Sequence, residues 1–277
     1  MTSEVPVTRH PDHAAGDYLV AEGLGKVYTR KTGKGSELFH AFQDVDFTVK
    51  RGEFVVIVGP SGCGKTTVLR CIGGLLNYEE GTLRLDGELI ISPGPERAIV
   101  FQHSSLLPWR SLERNVSYSI ELRRELPKAI IRERVAAALE MVGLSSFSKS
   151  FPNELSGGMM QRANMARALV VEPELLLMDE PFGALDAMTR EKLQQEVVNL
   201  ATLQGRTTVF ITHDIEEAVF LGDRILLMEI GNNGGGVRAE VQVPFERPRT
   251  QEIKRSIEFQ QLVFELKNML HGNSMLD

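Results

Sequence analysis

The 277-residue chain has no long apolar stretch. Its longest runs, Phe54-Val55-Val56-Ile57-Val58 and Leu175-Leu176-Leu177-Met178, fall far short of the ~18 residues that cross a bilayer, so any membrane role is expected to be peripheral. Cysteine is nearly missing too. Cys63 and Cys71 are close in sequence, and a disulfide there would distort the glycine turn that holds Cys63, so free thiols in a reducing cytoplasm are expected. Positive charge is not in excess: 25% of residues are charged and the net charge is −6, which argues against a general nucleic-acid-binding surface. Met1 to Asp17 is polar, contains Pro6 and Pro11, and lacks the apolar segment of a secretory signal. It reads as a disordered tail. His10 and His13 within it have a metal-compatible spacing but no further ligand nearby.

The length is enough to bury a sizeable core as one large domain or two lobes. Phe54 to Val58 is a continuous apolar run, as in a strand buried on both faces of a parallel sheet, and it feeds a glycine turn and a helix expected to run through Leu76. Ala98 to Phe101, Leu175 to Met178, Thr207 to Thr212 and Ile225 to Met228 repeat the strand pattern between helical segments, which predicts an open α/β sheet. Arg30 to Ser36 reads as a flexible loop between strand-like stretches. From about His103 to Pro173 the periodicity is helical. Ile131, Val135, Ala138, Leu139 and Val142 share a face and Gly143 follows as a stop, which predicts an inserted helical lobe. Asn232 to Gly236 reads as a tight hairpin turn. Residues 250–277 read as a C-terminal helical tail, with Ile253, Ile257 and Phe264 at helical spacing.

Gly59-Pro60-Ser61-Gly62-Cys63-Gly64-Lys65-Thr66 fits the phosphate-loop pattern in the right context, a buried strand before it and a helix after it. Glycines let the backbone wrap closely around phosphate, so that N–H groups and the helix N-terminus face negative charge. In this reading Lys65 neutralises phosphate and the Thr66 hydroxyl, next to Thr67, ligates Mg²⁺. Cys63 sits at that helix start, where a thiolate is favoured and reaction with thiol reagents is expected. Asp179 ends an apolar strand, where it is placed to hold Mg²⁺, and Glu180 follows as a general base for water; strands also end in solvated carboxylates. His213 and Gln102 end further strands and are weak signals alone: a γ-phosphate contact and a sensor of γ-phosphate and Mg²⁺, or merely structural groups. Leu155-Ser156-Gly157-Gly158 precedes a helix carrying Gln161. Ser156 is a good N-cap and the glycines expose amides, so this is either an anion site without a lysine or a plain capped helix.

Taken in this order, these residues closely resemble the nucleotide-binding subunits of ATP-binding-cassette (ABC) transporters, from about Leu19 to Arg249. The resemblance implies a P-loop α/β core with an antiparallel β subdomain and the inserted helical lobe, over residues 18–249. It implies ATP and Mg²⁺ as cofactors and a head-to-tail homodimer, in which Ser156, Gly157, Gly158 and Gln161 act in trans on ATP held by the other copy. Tyr28 falls where the family stacks a ring on adenine, although a core or edge-strand tyrosine also fits. Gly183-Ala184-Leu185-Asp186 matches the loop that couples the two ATP sites. Two departures stand out: Met160 where glutamine is usual, and Gly183 where serine is frequent. Leu106-Leu107-Pro108-Trp109 and Pro244-Phe245-Glu246-Arg247-Pro248-Arg249 are similar to the importer ATPases for nitrate, sulfonates, taurine and related oxyanions. That branch implies integral membrane permease subunits, a periplasmic or lipid-anchored solute-binding protein, and a place on the cytoplasmic face of the membrane. Trp109 fits either a groove for the membrane subunit or the interior of the helical lobe. One competing reading is the ATPase of an exporter, although those are often fused to membrane helices; the other is a soluble cassette ATPase acting on nucleic acid or ribosomes. The chain's acidity, one cassette and lack of a long coiled-coil insertion speak against it.

Overall fold

The structure, a computed structural model, describes residues 7–8, 16–32, 35–123, 126–231 and 234–271. In chain order the elements are β1 (Val7–Thr8), β2 (Asp17–Thr32), β3 (Gly35–Lys50), β4 (Phe54–Val58), α1 (Lys65–Ile72), β5 (Glu80–Leu85), β6 (Glu88–Leu89), β7 (Arg97–Val100), α2 (Leu112–Arg123), α3 (Lys128–Met141), α4 (Gly157–Leu169), β8 (Leu175–Asp179), α5 (Ala187–Gln204), β9 (Thr207–Thr212), α6 (Ile215–Leu221), β10 (Arg224–Gly231), β11 (Gly234–Gln242) and α7 (Ile257–His271). They form two compact units, residues 1–94 with 198–277, and residues 95–197.

In the first unit the strand order is β6-β5-β2-β3-β11-β10-β4-β9. The β10-β4-β9 part is parallel, while β6, β5, β2 and β3 pair antiparallel, so the two predicted sheet types are present side by side. Every residue of β4 is buried, as its unbroken apolar run requires. Arg224 on β10 fastens the sheet where its two parts meet: Nε lies 2.8 Å from Glu53 Oε1 and NH1 lies 2.7 Å from Glu240 Oε2. Its charge is buried with Glu240 and paired with the half-buried Glu53, the condition under which such a group is tolerated.

Several expectations need correction here. Within the segment read as a tail, Val7–Thr8 pairs antiparallel with Val241 and Glu240 of β11, and Asp17 already belongs to β2; His10 and His13 lie outside the described residues. Of the Arg30 to Ser36 loop, Gly33 and Lys34 lie outside the described residues and the rest is strand, with Arg30 opposite Glu37, Lys31 opposite Ser36 and Thr32 opposite Gly35. A hairpin needs only about two linking residues, so turn-forming composition does not stop pairing on either side. Helix α1 ends at Ile72, not Leu76: Gly74 has φ +70°, and a Cβ there would sit 2.2 Å from Ser92 O. Asn232 and Asn233 of the predicted hairpin turn lie outside the described residues; on either side of them β10 and β11 pair antiparallel, with Gly231 opposite Gly234. The C-terminal region starts as a short 3-10 turn, and α7 buries Phe259, Leu262, Val263 and Leu266, leaving Ile257 and Phe264 in solvent. The Pro244 to Arg249 segment is an anchor. Arg249, 2% exposed, donates to the carbonyls of Val219, Phe220 and Gly222 and so closes the C-terminus of α6, while Arg247 Nε meets Asp223 Oδ1 at 2.6 Å.

In the second unit β7 and β8 pair in parallel, and α2, α3 and α4 pack on one another. Among the described residues no strand falls between 103 and 173, as the helical periodicity predicted. Val135, Ala138, Leu139 and Val142 are buried on one face and Gly143 takes φ +66°, the left-handed stop. Trp109 is 72% exposed, which removes the reading that buried it.

Candidate functional site

The phosphate loop in the first unit is shaped by what lies behind it. Gly59 and Gly64 cannot carry a side chain: a Cβ at Gly59 would lie 2.4 Å from Met228 O, and one at Gly64, whose φ is +91°, would lie 2.7 Å from Ala41 O. Gly64 is the N-cap of α1 and brings no side chain to it, so the first amides of the helix face outward along its axis. Ser61 and Gly62 are exposed and Thr66 and Thr67 half-buried. Lys65 is buried at 7% exposure with its ammonium curled into the loop, donating to Gly59 O and Pro60 O at 2.7 Å each. Cys63 departs from expectation. Its side chain is fully buried, and burial pushes its thiol up against the smaller lowering effect of Lys65, so it is not a reactive thiolate. Cys71 is also a free thiol, which burial pushes up to about 11.

A contact that sequence reading missed completes this cradle. Gly235 on β11 lies so near the loop that a Cβ would stand 1.9 Å from Cys63 O, whereas one at Gly236 would find only Gln43 O, at 3.7 Å. The run of three glycines read simply as a turn, since close approach between distant segments has no local signature. We expect Gly235→Ala to displace the loop and weaken ATP binding at least ~10-fold, on the scale of overpacking costs of 1–3 kcal/mol. Gly236→Ala should bind as wild type, and titration with a fluorescent nucleotide compares the two.

At the other end of β2, Tyr28 is 40% exposed with Lys26 Nζ 5.2 Å from its ring centroid, so the core reading of Tyr28 fails. Phe39, directly opposite it on β3, is likewise open to solvent. His213 is exposed at the end of β9, and Asp214 next to it caps α6 by accepting from Glu217 N at 3.2 Å.

The second unit holds the acidic pair. Asp179 is buried at the end of β8. Glu180 takes φ +44°, an uncommon region for a side-chain-bearing residue, and its Oε2 accepts from Gln102 Nε2 at 3.1 Å. Gln102, a weak signal alone, is therefore joined to the candidate base. In the same unit Ser156 caps α4, its Oγ accepting from Met159 N at 3.3 Å, and Ser156 and Gly157 are exposed with Gly158 half-exposed. Gln161, expected beside them, is buried one turn into the helix, and its amide donates to Phe101 O at 2.9 Å, so it does not face a ligand with the glycines. Asp186 immediately precedes α5, and there the Thr189 backbone N–H and hydroxyl hold its carboxyl below the usual carboxylate range.

These features can be set against known proteins. Residues 42–183 match the family model described as ABC transporter. The chain belongs to the ABC transporter family. It is 42% identical over 236 residues to the nitrate import ATP-binding protein NrtD of Synechococcus elongatus, covering 85% of this chain and 84% of that one. It is 43% identical over 245 residues to the taurine import ATP-binding protein TauB of Rhizobium johnstonii, covering 86% and 91%. The dimeric cassette MJ0796, solved in a post-hydrolysis state with ADP and Pi, superposes with a TM-score of 0.73 at 32% identity, covering 82% of this chain and all of that one. As a family member the ABC protein described here binds and hydrolyses ATP.

Proposed function

We propose that this ABC ATPase energises an importer and works as a homodimer with two composite nucleotide sites. The observation that carries the composite reading is the open start of α4: a capped helix N-terminus with exposed glycines, suited to an anion yet lacking a lysine. In this reading ATP rests on the Lys65 loop with its adenine on Tyr28, and Ser156, Gly157 and Gly158 of the second copy close over its phosphates. Gln161 supports that helix from within.

Among the described residues no group of three acidic, histidine or cysteine side chains could hold a metal alone. That suits Mg²⁺, which takes few protein oxygens and shares nucleotide phosphates. Thr66 and Asp179 are the donors we assign to it, and its chemistry when bound is neutralisation of phosphate charge. Glu180 accepts the proton of the attacking water, Gln102 holds that carboxylate, and His213 keeps the water in register.

The import relatives support a small oxyanion-type solute of the nitrate, taurine or sulfonate kind. Among the described residues no helix is long and apolar enough to cross a membrane. The import relatives support docking on separate permease subunits at the cytoplasmic face. A periplasmic or lipid-anchored binding protein then delivers the solute. Nucleic acid has no part in this scheme.

Mixing two inactive variants tests the composite site. Lys65→Ala and Ser156→Arg should each hydrolyse ATP poorly, and their mixed dimer should regain activity because it holds one intact site, Lys65 of one copy with Ser156 of the other. No recovery on mixing, with heterodimers demonstrated, sinks the composite reading.

A further inference from the structure

Below the Ser156 cap, α4 carries a file of polar side chains, Gln161, Asn164 and Arg167, spaced three residues apart and so on one side of the helix. Gln161 and Asn164 are each 3% exposed, and burying such groups is costly unless they are hydrogen-bonded. All three reach the segment that follows β7. Gln161 holds Phe101 O, as described, and its Oε1 accepts from Asn164 Nδ2 at 3.4 Å. Asn164 Oδ1 accepts from Ser105 N at 3.4 Å and from Arg167 NH2 at 3.2 Å. Arg167 NH1 donates to Ser105 O at 2.7 Å, and NH2 also donates to Ser105 Oγ. The chain is thus pinned on both sides of Gln102, whose own amide reaches Glu180. A network with each member satisfied rigidifies what it holds.

We propose that Gln161, Asn164 and Arg167 are positioning residues that keep Gln102 on Glu180 and make this contact follow the seat of the helix that begins at Ser156. The inference rests on the composite-site reading. Helix α4 spans about 20 Å as one rigid rod, so an anion bound at its start and the loop gripped along its side move together. Each protomer then relays the state of the ATP closed by its Ser156 to the ATP held by its own Lys65.

The test is Arg167→Lys with Asn164→Leu. A lysine keeps the charge but cannot reproduce the planar fork that serves Ser105 and Asn164 together. We expect kcat to fall about tenfold or more, since a misplacement of about 1 Å costs up to ~100-fold, while KM for ATP stays within about twofold. The Hill coefficient should drop toward one, and the Ser105 amide should lose hydrogen-exchange protection at unchanged Tm. A folded variant with wild-type kcat and cooperativity overturns the proposal. If the variant does not fold, exchange on the Glu180→Gln chain decides: protection at Ser105 must rise when ATP drives dimerisation, and no change overturns it. Failure of the mixed-dimer recovery strikes the composite reading itself, whereas recovery with an indifferent Arg167→Lys, Asn164→Leu double variant strikes only the relay.

Discussion

Glu180→Gln should bind ATP as tightly as wild type yet turn over at least ~100-fold more slowly, the lower end of what a general base contributes. Glutamine matches glutamate in shape, so it places no new demand on the φ of +44° at this position, but it cannot take a proton from water. The Gln102 amide that now donates to Oε2 can still donate to the glutamine carbonyl, which keeps the loop seated. Binding and closure then proceed while hydrolysis stalls, and a dimer should accumulate with ATP on size-exclusion chromatography. Phosphate release within tenfold of wild type would remove Glu180 from the base role.

Lys65→Ala acts a step earlier. The ammonium is buried in the loop at 7% exposure, where a hydrogen bond to a charged group is worth about 1.5–3 kcal/mol. Losing it should weaken ATP binding by about 10- to 100-fold, with hydrolysis at fixed ATP falling accordingly. Calorimetric titration measures the change directly. The fold should hold, because the ammonium donates to Gly59 O and Pro60 O and lies 3.9 Å from Cys63 Sγ, all groups of its own loop and not of the sheet. An unchanged dissociation constant refutes the phosphate-loop assignment.

The two variants bear on different kinds of legibility. Lys65 was readable because the phosphate loop is a contiguous string whose spacing carries its geometry: buried strand, glycines, helix start. Cys63 shows the limit of that reading. Its place in the string was right, but whether a thiol beside a helix start faces solvent or core depends on its packing, and here burial outweighs the helix terminus. Tyr28 and Trp109 were undecided for the same reason, since an aromatic residue suits a core or an open platform equally well until exposure is known. Gln161 went wrong in the other direction: adjacency to Ser156 suggested a shared site, while the turn of the helix points it at Phe101.

What local chemistry alone settled was the parallel strands, the helical lobe and the phosphate loop: unbroken apolar runs made buried parallel strands, 3.6-residue periodicity made the helical lobe, and Ser156 made a cap. What needed the folded chain was every relation across sequence distance. Gly235 against Cys63, Gln102 on Glu180, Arg249 closing α6, and Asn164 with Arg167 gripping Ser105 each join residues by contact that no periodicity or spacing encodes. The physical cause is the range of the forces involved: hydrogen bonds and steric exclusion act over a few ångströms, so their partners exist only once the strands and helices have been brought together.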